Sequence, residues 1–417
     1  MICRKYVEVV EDRCTNCKFC ELVCKCYSPN LCTGCLACFW ACPYEARRVK
    51  EEYVEPRFIE IWVDKVKYRV PANLTVSKAL EHIGFKFEPL GSKGISLPCK
   101  TGGCWSCALL IDGVFERSCI TPIRNGMEII TNVEGIVPRR IVHGPEPHLV
   151  GGKGTPWWEV NYREYVEAAI WVAGCNLRCP QCQNYHVTYD NVSKALTPKE
   201  AAEEIVRCHL IFNTKGVAIS GGEPTLNRRW LKLFFEYLNK SLKPKVRRHL
   251  DSNGTLLSSD YIDELVESGC NDFGVEPKCV NVKTYMKITG LSSEDEARRY
   301  LENSWKAVEY IYDKYREKVF LGVGLIYNDD LVSLREIEKA GDKIRSIDPN
   351  IQVTVLDYFP SFRRRYLVRP TVERMLEVKK ILESCGLKCV IVQTRSGHIG
   401  PKGVKRDGFN LNLHKHT

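Results

Sequence analysis

The chain has 417 residues, 44% of them apolar and 27% charged, with a formal net charge of +10. At about 150 residues per domain this makes two to three domains with enough apolar material for buried cores. No apolar run approaches the ~18 residues of a membrane span, and the opening Met1-Ile2-Cys3-Arg4-Lys5, leading into Glu8, Glu11, Asp12 and Arg13, argues against a secretory signal. A cytoplasmic protein with no membrane partner is expected. The 22 cysteines stand out. They fall short of the ~8–10% density of a disulfide scaffold, and in a reducing compartment clustered thiols read as metal ligands or catalytic groups. Three dense groups, at 3–42, 99–119 and 175–182, suggest three metal modules in series; Cys208, Cys270, Cys279, Cys385 and Cys389 are scattered.

The first module, residues 1–54, carries Cys14-x2-Cys17-x2-Cys20-x3-Cys24, then Cys32-x2-Cys35-x2-Cys38-x3-Cys42-Pro43. Two-residue spacers wrap a tight loop around one face of a cubane, and the fourth thiolate comes from elsewhere. Paired zinc sites fit less well, since they use four ligands in two pairs. The runs resemble those of bacterial two-cluster ferredoxins, small α+β domains. The resemblance implies that Cys14, Cys17, Cys20 and Cys42 hold one [4Fe–4S] cluster and Cys32, Cys35, Cys38 and Cys24 a second. Tyr6–Val9 would be the first strand and Arg48–Lys50 the last. Only seven residues separate Cys24 from Cys32, among them Cys26, so whether Cys24 or Cys26 is a ligand stays open.

Residues 55–137 hold Cys99-x4-Cys104-x2-Cys107-x11-Cys119. The first two spacings are those of plant-type [2Fe–2S] proteins. Phe58–Val63 and Val66–Val70 read as a hairpin, and Thr75 as the N-cap of a following helix. With Lys100-Thr101-Gly102-Gly103 between the first two thiols and Ile111-Asp112-Gly113 beyond, the segment resembles the small iron–sulfur domain of molybdenum hydroxylases. That implies a β-grasp fold with one [2Fe–2S] cluster on Cys99, Cys104, Cys107 and Cys119. Trp105 stands where the related domains usually have Gly, as bulk that screens the cluster from water.

Residues 138–159, rich in Gly, Pro and His, read as a linker. From 160 to 417, short apolar runs (Val166–Val172, Gly216–Ser220, Val246–Asp251, Asp272–Glu276, Val319–Ile326, Ile351–Asp357) alternate with helix-like stretches such as Leu226–Asn239 and Ser259–Ser268. Such alternation predicts an α/β parallel sheet, with functional residues at the C-terminal strand ends. Cys175-x3-Cys179-x2-Cys182 follows the first run. Three thiolates hold three irons of a cubane and leave the fourth open. Gly221-Gly222-Glu223-Pro224 follows the second. These two motifs at this distance identify the segment as a member of the radical S-adenosylmethionine (SAM) superfamily, whose fold is a partial (β/α)6 barrel. The resemblance places a third [4Fe–4S] cluster on Cys175, Cys179 and Cys182, with Gly221, Gly222 and Glu223 at the methionine amino group. Gln181 replaces the usual aromatic beside adenine.

Arg248-His249-Leu250-Asp251-Ser252-Asn253-Gly254 and Gly274-Val275-Glu276-Pro277-Lys278 resemble strand ends of glycyl-radical-enzyme activating enzymes. By that resemblance Asp251, Ser252 and Glu276 form a monovalent-cation site and Lys278 pairs with the cofactor carboxylate. The implied chemistry is reductive cleavage of SAM to a 5′-deoxyadenosyl radical, anaerobically, by an oxidoreductase that abstracts hydrogen from a protein substrate. The N-terminal clusters would relay electrons from a low-potential donor protein. A small metabolite or cofactor precursor is the alternative substrate. RNA is a third, motivated by the basic balance. The clusters Arg228-Arg229, Lys245-Arg247-Arg248 and Arg363-Arg364-Arg365 read as solvated surface, or as docking sites for an acidic donor. Cys279 is weighed as a hydrogen-transfer thiol, against a buried apolar role.

Overall fold

The computed structural model describes residues 1–26 and 29–401; the end of the expected barrel span, 402–417, lies outside them. In the first module β1 (Ile2–Val9) and β2 (Arg47–Val54) run antiparallel, Ile2 opposite Val54. Both are longer than the sequence suggested. Between them each cysteine run passes through a short helix, α1 (Phe19–Val23) and α2 (Ala37–Ala41). The residues ahead of these helices, Lys18 and Leu36, both adopt the left-handed conformation (φ 60° and 67°). The two runs therefore repeat one backbone turn.

The second module is a five-stranded mixed sheet of β3 (Phe58–Val63), β4 (Val66–Pro71), β5 (Ala108–Ile111), β6 (Val114–Arg117) and β7 (Glu128–Ile130), in the order β4-β3-β7-β5-β6. Helix α3 (Val76–His82) starts where expected, with Thr75 Oγ1 accepting from the Lys78 N–H (3.3 Å). Its Val76, Ala79 and Leu80 pack on Ile61, Val70, Leu109 and Ile129. A helix across a mixed sheet reached by a hairpin matches the expected β-grasp order.

The third unit is one ten-stranded sheet. Its strands are β8 (Arg140–His148), β9 (Glu167–Val172), β10 (Ala195–Leu196), β11 (Gly216–Gly221), β12 (Arg247–Ser252), β13 (Asp272–Lys278), β14 (Phe320–Tyr327), β15 (Gln352–Asp357), β16 (Val390–Thr394) and β17 (Gly397–Ile399). Their order is β10-β8-β9-β11-β12-β13-β14-β15-β16-β17. From β9 across to β16 all neighbours are parallel; β8, β10 and β17 add antiparallel edges. The six expected barrel strands are present, and β16 is a seventh. Helices α4 (Tyr185–Thr188), α5 (Pro198–Phe212), α6 (Arg228–Ser241), α7 (Ser259–Glu267), α8 (Val282–Thr289), α9 (Glu294–Tyr315), α10 (Leu334–Ile347) and α11 (Val372–Ser384) fill the connections. Helix α6 shows why: Trp230, Leu231, Phe234, Phe235 and Leu238 recur on one stripe and are fully buried in the core beneath the strands.

Residues 138–159 are not a free linker. Strand β8 pairs with β9, and the segment that follows runs against the barrel wall. The Gly152 N–H donates to Glu167 Oε1 on β9 (2.9 Å), the Lys153 N–H to Asp251 Oδ1 on β12 (3.3 Å), and Gln352 Nε2 on β15 donates to Lys153 O (3.1 Å). Its glycines, read as linker composition, serve close packing. The facing strand needs one too: a Cβ on Gly322 of β14 would lie 2.0 Å from Lys153 O.

Candidate functional site

The loop leaving β9 carries Cys175, Cys179 and Cys182, all half-buried, on the wall of a cavity of about 160 Å³. The Leu177 N–H donates to Cys175 Sγ (3.4 Å). Burial pushes all three thiols up, Cys179 to about 11, so loading them with metal releases protons. Gly221-Gly222-Glu223 folds onto the same loop: the Gly222 N–H donates to Val172 O and the Glu223 N–H to Gly174 O, each 2.8 Å. A Cβ on Gly222 would fall 2.2 Å from Gly174 O. The Glu223 carboxylate, only 1% exposed, is committed elsewhere. It accepts from Thr225 N–H and Oγ1, Ser252 Oγ and the Asn253 N–H, at 3.0, 2.6, 2.8 and 2.7 Å. It locks the end of β11 to the end of β12.

Asp251, Glu276 and Lys278 line the same cavity from β12 and β13. Lys278 ends β13 at φ +72°, beyond a register shift after Val275. Such a conformation is uncommon for a side chain other than Gly, and here it accompanies an inward-facing ammonium. Lys278 Nζ bonds Glu276 Oε1 and lies 3.4 Å from the Tyr358 hydroxyl. Burial works against the Lys278 charge, but Glu276 outweighs it and holds the ammonium well above its ordinary range. The Ser252 hydroxyl, on the wall of the same cavity, donates to Glu223 Oε1 (2.8 Å) and accepts from the Gly254 N–H (3.0 Å). The group that does meet both carboxylates is Lys153: its Nζ is 3.4 Å from Asp251 Oδ2 and 3.4 Å from Glu276 Oε2. Reading 138–159 as a linker concealed it.

The N-terminal thiols gather much as their spacing suggested. Cys20 lies near Cys42 and Cys17, and Cys24 beside Cys38. Cys26 joins the second set, beside Cys24, Cys32 and Cys35 and 3.6 Å from the Thr33 hydroxyl. Five thiols thus surround that site where four are required. Cys99, Cys104, Cys107 and Cys119 are all buried and lie side by side. Arg178 joins the three modules. Its guanidinium donates to Cys175 O (2.7 Å) and Cys99 O (2.5 Å) and stacks 5.2 Å over the Trp40 ring. Gly174 abuts Cys104 so closely that a Cβ would lie 2.8 Å from Cys104 Cβ. Cys35 and Ala37 pack against Cys107 and Cys119. Trp105 packs with Ile141, Ala173 and Ala195, wedging the second module against the barrel; its backbone is left-handed (φ +60°).

Of the basic clusters, Arg228, Arg247 and Arg248 are buried, Arg229, Arg363 and Arg364 are half-buried, and Lys245 and Arg365 are exposed. Arg363 donates to Cys42 O, Phe39 O and Trp40 O, Arg364 to Gln181 Oε1 and Lys287 O, and Arg365 covers the Tyr44 ring. Arg228 pairs with Asp260 and Glu264, and Arg247 with Glu159, Glu167 and Asp272. Sequence periodicity does not reveal such long-range partners. Gln181 is turned from the cavity, held by Arg364 and by Ile288 O. Cys279 is buried, with Sγ 3.5 Å from Asn281 O, and does not line this cavity.

A second cavity, about 610 Å³, shares Lys153, Gln183, Asn184, Ser220, Asp251 and Leu356 with the first. Trp171, Gln393 and His398 also line it. Gln183 Nε2 and Gln393 Oε1 have no hydrogen-bond partner among the described residues. A cavity of about 710 Å³ between the second module and α6 contains none of the cluster thiols.

Comparison with known proteins agrees with this arrangement. Residues 170–337 match the Radical SAM superfamily, 57–134 a 2Fe-2S iron-sulfur cluster binding domain, and 25–48, which include Cys26, a 4Fe-4S binding domain. A probable GTP 3′,8-cyclase of Methanococcus vannielii is 28% identical over 45% of this chain and 61% of its own length. A putative glycyl-radical enzyme activating enzyme of Methanocaldococcus jannaschii is 28% identical over 29% and 46%. The 7-carboxy-7-deazaguanine synthase of Hyperthermus butylicus is 40% identical over 20% and 33%. The chain therefore spans less than two thirds of each of these relatives. The solved structure of SuiB of Streptococcus suis bound to S-adenosylmethionine is similar at 15% identity and a TM-score of 0.39, over 51% of this chain and 44% of that one. Among the described residues no helix is long and apolar enough to cross a membrane. The chain carries a radical S-adenosylmethionine superfamily barrel, preceded by a 4Fe-4S and a 2Fe-2S binding domain.

Proposed function

We propose that this chain is a radical SAM enzyme acting on a small polar substrate held in the cavity beside its cofactor site. When bound, a cluster with one open iron, together with SAM, supplies a 5′-deoxyadenosyl radical that takes hydrogen from the substrate. The chain's own part is to position and enclose. Cys175, Cys179 and Cys182 would hold three irons. Gly221 and Gly222 offer backbone carbonyls to the methionine ammonium, and Lys278 offers its charge to the carboxylate. The observation that carries the small-substrate reading is the 610 Å³ cavity. It falls within the ~300–1,000 Å³ of small-molecule sites. Its unpartnered Gln183 and Gln393 amides suit a ligand that both donates and accepts hydrogen bonds. Two of the relatives are named for small molecules, GTP and 7-carboxy-7-deazaguanine.

A second reading, an activating enzyme with a protein substrate, draws on the Methanocaldococcus relative and on Asp251-Ser252-Asn253-Gly254. In both readings the N-terminal clusters receive electrons from a low-potential protein donor and pass them inward. The test is anaerobic reconstitution followed by measurement of 5′-deoxyadenosine from SAM under dithionite. Wild type should form it, and replacement of Cys175, Cys179 and Cys182 by Ala should abolish it; continued cleavage by that variant refutes the enzyme reading. Stimulation by the low-molecular-weight filtrate of a cell extract supports the small substrate, whereas stimulation only by the retained protein fraction supports the second reading.

A further inference from the structure

We propose that Lys153 is a built-in cation of the cofactor cavity: its ammonium stands between Asp251 and Glu276, in the place assigned from sequence to a free monovalent ion, so that SAM binds without one. The proposal rests on the reading that this cavity takes SAM.

The placement is set by backbone, not by a long side chain reaching in from the surface. The Lys153 N–H is bonded to Asp251 Oδ1 and its carbonyl to Gln352 Nε2. The preceding Gly152 N–H is held by Glu167 Oε1 and Thr155 Oγ1, both at 2.9 Å. The segment lies so close to β12 that a Cβ on Gly152 would be 2.2 Å from Asp251 Oδ2. The side chain crosses β14 where Gly324 leaves a groove; a Cβ there would come within 2.5 Å of Lys153 Cδ. Only 16% of the side chain is exposed, and it lies on the wall common to both cavities.

The charges then balance at the two carboxylates that Lys153 meets; the third carboxylate of the cavity, Glu223, is held by hydroxyl and N–H donors. Asp251 and Glu276 supply two negative charges, and Lys153 and Lys278 supply two positive ones. His249 Nε2 also lies 3.1 Å from Asp251 Oδ1. An additional free cation would enter a site already neutralised, and an unpaired buried charge is costly. It would also find few ligands. Hard cations require several oxygens, yet the Ser252 oxygen already accepts from the Gly254 N–H while its proton goes to Glu223, and one oxygen of Glu276 is held by Lys278. A tethered ammonium needs no capture from solution and cannot exchange away.

The experiment measures SAM affinity by calorimetry on the anaerobically reconstituted full-length protein, in potassium chloride and in choline chloride. Wild type should bind equally in both, within about twofold. Lys153→Met removes the charge at similar length. It should bind about tenfold or more weakly in choline and regain affinity in potassium, as the ion enters the vacated place. Iron content and circular dichroism confirm that the variant is loaded and folded. A wild-type affinity that needs potassium overturns the assignment, as does a Lys153→Met protein that binds like wild type in choline. If the variant fails to load iron, the wild-type comparison alone decides. No binding by wild type in either salt would instead overturn the cofactor reading itself.

Discussion

At the scale of single residues, the barrel holds several ionisable groups where water is scarce, and pH acts through them. His398 on β17 lines the larger cavity, and burial pulls its imidazole down to about 4, so it is neutral in the fold. In the unfolded chain it titrates near its ordinary 6.5. Between those values the unfolded state binds the extra proton. The stability contributed by a neutral His398 is therefore complete above 6.5 and is lost as pH falls toward 4. The expected slope is roughly 1 kcal/mol per pH unit. Denaturant midpoints measured from about pH 5 to pH 7 should fall on acidification, and less steeply in His398→Gln. Equal slopes in the two proteins would show that His398 does not remain neutral. Asp272, raised to about 6 by burial against the pull of His249 and Arg247, acts with the opposite sign. Its protonated form is favoured in the fold, so its contribution to stability is lost as pH rises through that range. His186 and His209, also lowered by burial, act in the same direction as His398, and His249, held up by its carboxylate neighbours, acts with Asp272; the His398 variant isolates one contribution among them.

At the scale of elements, the strand–helix alternation was legible because parallel strands buried on both faces read as continuous apolar runs, as in β14, where every residue after Phe320 is buried. The segment before β9 was not legible. Gly, Pro and His in 138–159 have the composition of a loop, and only the tertiary register shows Arg140–His148 to be a barrel strand. Arg140 is fully buried, donating to Ala173 O, Glu223 O and Pro224 O. It ties β8 to the ends of β9 and β11, where the cluster loop and Gly221-Gly222-Glu223 lie. A chain beginning near Gly152 would lack all of this and should be strongly destabilised. One beginning near Pro138 keeps β8 and the Lys153 segment and should be the more stable by several kcal/mol, about the cost of stripping a buried charged group of its partners. Thermal midpoints of the two truncations decide, and equal values would mean that β8 is dispensable. The cysteine runs and Gly221-Gly222-Glu223 were legible for the opposite reason, since ligands of one cluster must lie close in sequence to wrap it. Lys153 and the arginine contacts depend on partners remote in sequence, which no local spacing encodes. The sequence left Cys26 open as an alternative to Cys24, and the fold places it beside Cys24, Cys32 and Cys35 together.

At the scale of the whole molecule, the three modules make a continuous series of thiol sites rather than separate beads. Cys14 and Cys17 are exposed at one end. Cys35 meets Cys107 and Cys119 in the middle, and Cys104 meets Gly174, next to Cys175, at the other end. A second contact runs directly from the first module to the barrel, where Cys20, Cys32 and Cys38 pack with Tyr189 and Phe362, and Cys182 against them. Under the proposed function the arrangement suits electrons entering near the exposed thiols and leaving at the cluster that Cys175, Cys179 and Cys182 would hold. The two contacts make different predictions for Cys99→Ser, which should remove the [2Fe–2S] signal from the Mössbauer spectrum and spare the cubanes. If current flows through the middle module, this variant should keep at least about half of its 5′-deoxyadenosine rate with dithionite, which reduces the barrel cluster directly, and lose about tenfold or more with a protein donor. If the direct contact carries the current, both rates survive. Loss of equal size with either reductant would mean that the middle module shapes the barrel site instead of feeding it. Arg178 makes that outcome physically meaningful, since the guanidinium that holds Cys99 O also holds Cys175 O. Circular dichroism and SAM affinity of the same variant, both unchanged under the relay reading, separate a broken wire from a displaced cluster loop.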